Sequence, residues 1–89
     1  MLQSMISGGQ IRAARALLGL SATELSQVSG VGWATIQRFE NSDGVPVSRS
    51  GTLERVKTAL EARGIVFLGH PVTSPGVQLK RSDQPREQS

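Results

Sequence analysis

Between Gly19 and Gly32 the chain is punctuated so closely that only short helices fit, and this constrains the fold more than any other feature. Ser21-Ala22-Thr23-Glu24 is a capping box, with Ser21 starting a helix and Glu24, three residues on, able to reach back to the Ser21 amide. Leu20 before the cap and Leu25 beyond it suit a hydrophobic staple. Gly30 supplies the left-handed backbone of a sharp stop, and Val31 is the apolar plug of the turn. A helix ending near Ser29 is therefore predicted, with Leu25 and Val28 inward. Before it, Ile11, Ala14, Leu17 and Leu18 recur at helical spacing and share one face of a helix from about Gly9 to Leu18, which Gly19 stops. Arg12 and Ala13 fall on its opposite face. After it, a helix from about Gly32 to Glu40 turns Ile36 and Phe39 to the core. Trp33, Ala34, Gln37, Arg38 and Asn41 occupy its outer arc, which carries no acid.

Downstream, Asn41 to Gly51 is rich in glycine, serine and proline and reads as a loop. A fourth helix starts near Ser50 or Thr52 and runs to Arg63, burying Leu53, Val56 and Leu60, with Gly64 closing it. Ile65-Val66-Phe67-Leu68 is β-branched and aromatic, and Val77-Gln78-Leu79-Lys80 alternates, so the two form a hairpin. The expected organisation is a loose lead-in over 1–7, a helical domain over 8–64, a β segment and candidate dimerisation element over 65–81, and a disordered tail over 82–89.

At 89 residues the chain fits one small domain, of the size that buries only about 60 % of its unfolded surface. Without cysteine it has neither disulfides nor thiolate metal sites, and His70, the one histidine, cannot make a two-histidine ligand set. No metal or cofactor is expected. No nucleophile, base and orienter come together in the sequence either, so an enzyme is not expected. The longest apolar run, Ile65 to Leu68, falls far short of the ~20 residues that span a bilayer, and Met1 to Gly9 has no secretory pattern. A cytoplasmic domain with no membrane attachment is the expectation. Ten Lys plus Arg against seven Asp plus Glu give a net charge of +3, which permits an anionic partner without requiring one. Gly30-Val31-Gly32 begins like a dinucleotide fingerprint but lacks the third glycine and follows a helix. His70, beside Pro71, reads as an exposed turn residue, and Lys80-Arg81 with Arg86 reads as a solvated end, with a flexible basic tail that touches DNA as the alternative.

Two short helices joined by a glycine-containing turn form the helix-turn-helix signature. The major groove of B-DNA is ~12 Å wide and admits one helix while the preceding helix crosses the phosphates. The second helix must then bury one face and free its outer residues, a division that the stretch from Gly32 to Asn41 has. Gln37 and Arg38 are side chains able to pair with base edges. A plain helical hairpin with a solvated face is the alternative.

The stretch from Leu20 to Asn41, with Gln10-Ile11-Arg12-Ala13-Ala14-Arg15 before it and Thr52-Leu53-Glu54-Arg55-Val56 after it, resembles the Cro/C1-type (XRE-type) helix-turn-helix family. The linked pairs Glu24-Leu25, Gly30-Val31, Thr35-Ile36 and Glu40-Asn41 carry the resemblance, which covers roughly Gly9 to Gly64. It implies a mainly α fold, a bundle of four or five helices, here followed by a C-terminal β-strand or β-hairpin. It also implies operator binding by a dimer. By the same resemblance Trp33, Ala34, Gln37 and Arg38 face the major groove, Thr35 and Asn41 sit near flanking phosphates, and Arg49 in the following loop lies near the backbone. Arg15 pairs with Glu40 structurally, as their half-buried positions also suggest.

The sequence departs from that pattern in four places. Ala22 stands where a phosphate-binding glutamine is common, so that contact is missing or falls to Ser21 or Thr23. Ser26 replaces a usual alanine. Gly32 is a weaker cap than Ser or Thr. Trp33 replaces a polar base reader and either packs on thymine methyls or lies back on the domain. The expected function is a sequence-specific double-stranded DNA-binding transcriptional regulator, a homodimeric repressor on a palindromic operator. Two alternatives use the same fold: the antitoxin of a toxin–antitoxin pair, or a protein-interaction module such as an anti-activator, each with a protein partner.

Overall fold

Capping boxes and left-handed glycines set where the first two helices begin and end. The computed structural model describes residues 5–49 and 51–81 and contains, among them, four helices and one two-stranded antiparallel sheet. The order is α1 (Gly8–Leu18), α2 (Ala22–Ser29), α3 (Trp33–Glu40), α4 (Thr52–Glu61), β1 (Ile65–Leu68) and β2 (Gly76–Leu79). Ser21 caps α2 with the full capping box, the Glu24 amide donating to the Ser21 hydroxyl at 3.0 Å and the Ser21 amide to the Glu24 carboxylate at 2.8 Å. Gly30 ends α2 in the left-handed region at φ 73°, a conformation that costs a residue with a Cβ roughly 1–2 kcal/mol.

The core is one cluster built by all four helices and β1. Ile6, Ile11, Leu25, Ile36, Phe39, Val56 and Leu60 are its fully buried large side chains, with Ala14, Val31, Leu53 and Ile65 completing it. Two inward assignments are corrected. Leu17 is 45 % exposed and Val28 38 % exposed. Each sits at the rim of a narrow apolar arc, and Leu18 rather than Leu17 packs against the core.

The lead-in is also corrected in part. Residues 1–4 and the tail 82–89 lie outside the described residues, as does Ser50. Ile6, however, is 1 % exposed, and Ser7 caps α1 through a second capping box with Gln10. The Ser7 amide donates to Gln10 Oε1 at 2.9 Å, and the Gln10 amide donates to Ser7 Oγ at 3.1 Å.

The hairpin closes over the helices. Its register pairs Ile65 with Leu79 and Phe67 with Val77, which puts these four on one face against the core. The buried Gln10 side chain then donates through Nε2 to the carbonyls of Leu68 at 3.2 Å and Gly76 at 2.9 Å. One glutamine thus ties the start of α1 to the turn end of the hairpin. His70 is exposed but structural: its Nδ1 accepts from the Val72 and Thr73 amides at 3.1 and 3.2 Å and holds the turn.

Candidate nucleic-acid interface

The turn between α2 and α3 is locked by serines. Ser26 donates its hydroxyl to the Val31 carbonyl at 2.7 Å, and the Val31 amide donates to Ser29 Oγ at 3.2 Å. Val31 itself is buried. The turn therefore has an apolar anchor and two polar ties, so α3 leaves it at a defined angle. Ser26, which reads as a mere size change in the sequence, is what closes the turn.

The far end of α3 is gripped from α1. Arg15 Nε meets Glu40 Oε2 at 2.7 Å and Nη2 meets Oε1 at 2.9 Å, a two-pronged pair, while Nη1 donates to the Leu20 carbonyl at 3.0 Å. The hydrogen bond to Glu40 raises the Arg15 pKa above its ordinary value; burial opposes this and the Glu40 charge reinforces it. Arg12, one turn earlier, donates to the main-chain carbonyl of Glu40. Arg12 thus holds the C-terminal end of α3, although it faces away from the apolar stripe of α1. Its spacing of three from Arg15 on one helix is the signal that links the two.

Between these fixed ends α3 buries Ile36 and Phe39 completely. Its other side is open. Trp33 is 53 % exposed and so is not part of the core; Ala34, Arg38 and the following Asn41 are exposed, and Thr35 and Gln37 are half-buried. Gly32 caps the helix with no side-chain hydrogen bond, which leaves the first amides of α3 without a side-chain acceptor. Ser21 and Thr23 are exposed at the N-terminal end of α2. The Ser21 oxygen accepts from Glu24, and its hydroxyl proton remains to donate.

Arg38 does more than project outward. Its Nη1 donates to the Val47 carbonyl at 3.0 Å and its guanidinium lies 5.2 Å from the Phe39 ring centroid. It braces the loop that carries the exposed Arg49 and the 85 % exposed Val47. Among the described residues, no group of three or more His, Cys, Asp or Glu is placed to hold a metal ion, and no helix is long and apolar enough to cross a membrane. No protein-family model matches the chain, and no curated protein matches it.

Proposed function

We propose that the chain is a Cro/C1-type helix-turn-helix protein that binds double-stranded DNA sequence-specifically, as a homodimeric repressor on a palindromic operator. One observation carries this reading: α3 is fixed at both ends, buries one face, and offers Trp33, Ala34, Gln37 and Arg38 on the other. A helix so presented matches the width of the major groove. Gln37 and Arg38 are the base readers, and Trp33 supplies an apolar face for thymine methyls. Thr35, Asn41, Arg49 and the α2 hydroxyls of Ser21 and Thr23 contact phosphates. To read a guanine, Arg38 exchanges its bond to the Val47 carbonyl for the base edge, so recognition is coupled to the loop that carries Arg49.

The test is a footprint and anisotropy titration on the DNA immediately upstream of the chain's own gene, beside scrambled duplex. Specific binding about 10³-fold or more tighter than scrambled is expected. Arg38→Ala should reduce the specific affinity by about 1–3 kcal/mol and leave non-specific affinity less affected. Equal, weak binding to every duplex would defeat the reading.

A further inference from the structure

Where α2, α4 and the open end of the hairpin meet, the molecule carries a surface that DNA recognition leaves unused. One shallow groove of about 430 Å³ runs between Val28 of α2 and Thr58, Ala59 and Ala62 of the α4 region. A second, of about 500 Å³, is bounded by Leu18, Ala62, Gly64 and Leu79. Ala62 and Arg63 line both, so the two form one trough. Val28, which is 38 % exposed, sits in it unburied.

The rim of the trough is cationic. Arg55 and Arg63 border the first groove, and Arg63, Lys80 and Arg81 border the second, against one acid, Glu54. None of these four cations makes a side-chain hydrogen bond or ion pair within the described residues, whereas Arg12, Arg15, Arg38 and Lys57 all do. Four unspent cations around an apolar floor form a combination found nowhere else on the described surface.

We propose that this trough docks an acidic amphipathic helix of a partner protein, with apolar side chains on Val28, Ala59 and Ala62 and carboxylates facing Arg55, Arg63, Lys80 and Arg81. Charge selects the occupant. A second copy of this chain, packed about a two-fold axis, would bring the same four cations together. A nucleic acid would match the rim but leave the apolar floor uncovered. A helix with one apolar stripe and acidic flanks matches both, and a trough between two helices is the shape such a helix enters. No residue of the trough belongs to α3, so this binding stands or falls separately from DNA recognition.

The probe is a short helical peptide with leucines at i, i+4 and i+7 and glutamates flanking them, titrated into the full chain by fluorescence anisotropy and amide chemical shifts. Saturable binding is expected, with shifts centred on Val28, Ala59 and Ala62. A control peptide carrying lysine for glutamate should not bind. The double variant Arg63→Glu, Arg81→Glu should weaken the acidic peptide about tenfold or more, with unfolding checked by circular dichroism. Arg55→Glu, at the other end of the trough, is the second variant should the first unfold. Unchanged peptide affinity in a folded variant, or shifts elsewhere on the surface, overturns the proposal. So does non-specific duplex DNA displacing the peptide from these cations, or a dimer of the native chain that the charge reversal abolishes.

Discussion

Arg15 and Glu40 show how a charged pair serves as structure. Glu40 is 5 % exposed, so its carboxylate has left water and depends on the guanidinium that meets both its oxygens. Removing one partner strands the other, which costs more than removing both. Arg15→Ala should therefore lose about 3 kcal/mol in urea unfolding, while Arg15→Met with Glu40→Met should lose less than the single change. The raised Arg15 pKa places its own proton-linked stability below the ordinary arginine value, to be lost only as pH rises through the higher folded value. Between about pH 5 and 10 Arg15 itself thus gives no slope. Gly8 illustrates a constraint of a different kind. A Cβ there would lie 2.2 Å from the Phe39 carbonyl oxygen and 2.9 Å from that of Ser42, both backbone atoms that cannot swing away. Gly8→Ala should cost about 2 kcal/mol by forcing α1 off the end of α3, read as a lowered Tm.

At the scale of elements, helices with side-chain signals were the legible ones. Ser21 with Glu24, and Gly30, predict the cap and the stop of α2, because the capping box and the left-handed stop are local chemistry. Ser7-Gly8-Gly9-Gln10 is the same kind of box, yet with no helical period before it Ser7 reads as the end of a loose lead-in. The reason for Gly8 is a contact with α3, far away in sequence, so no local pattern reveals it. Gln10 was hidden in the same way. Its side chain serves two purposes, capping α1 through Oε1 and holding the hairpin through Nε2, and the second involves residues some sixty positions downstream. Gln10→Ala should cost about 2 kcal/mol, since two partly buried carbonyls and the buried Ser7 amide lose their partner together. Hydrogen exchange should locate the damage, with hairpin amides near Leu68 and Gly76 exchanging faster than those of α2. Uniform acceleration across the chain would show that the tie is not local. On the candidate interface, periodicity identified which residues of α3 point outward. It did not show that Arg38 is tied to Val47, because that bond depends on the path of the loop.

For the molecule as a whole, the hairpin decides how assembly can be tested. Ile65 belongs to the core, and Phe67, Val77 and Leu79 pack against it, so cutting the chain after Gly64 would uncover the core as well as any subunit contact. A point change on the outer face avoids that confusion. Leu68 is 43 % exposed and Val72 58 %, and Met5, at 52 %, lines a groove beside β1. If a dimer forms there, Leu68→Glu should shift the sedimentation equilibrium of the full chain toward monomer with little loss of secondary structure. DNA binding then provides an independent count. Phosphate contacts release counterions, and the logarithm of affinity falls with the logarithm of salt by roughly 0.9 for each phosphate neutralised. Of the proposed contact residues only Arg38 and Arg49 are cationic, and a base-reading Arg38 leaves Arg49 as the clear phosphate partner of each subunit. A dimer should accordingly show a shallow slope, about −2 to −4, and Leu68→Glu should bring it toward half that value. A slope near zero would mean that Arg49 and the loop that carries it do not meet the phosphate backbone at all. A much steeper one would mean that cations elsewhere, such as those rimming the trough by α4, carry the nucleic acid instead.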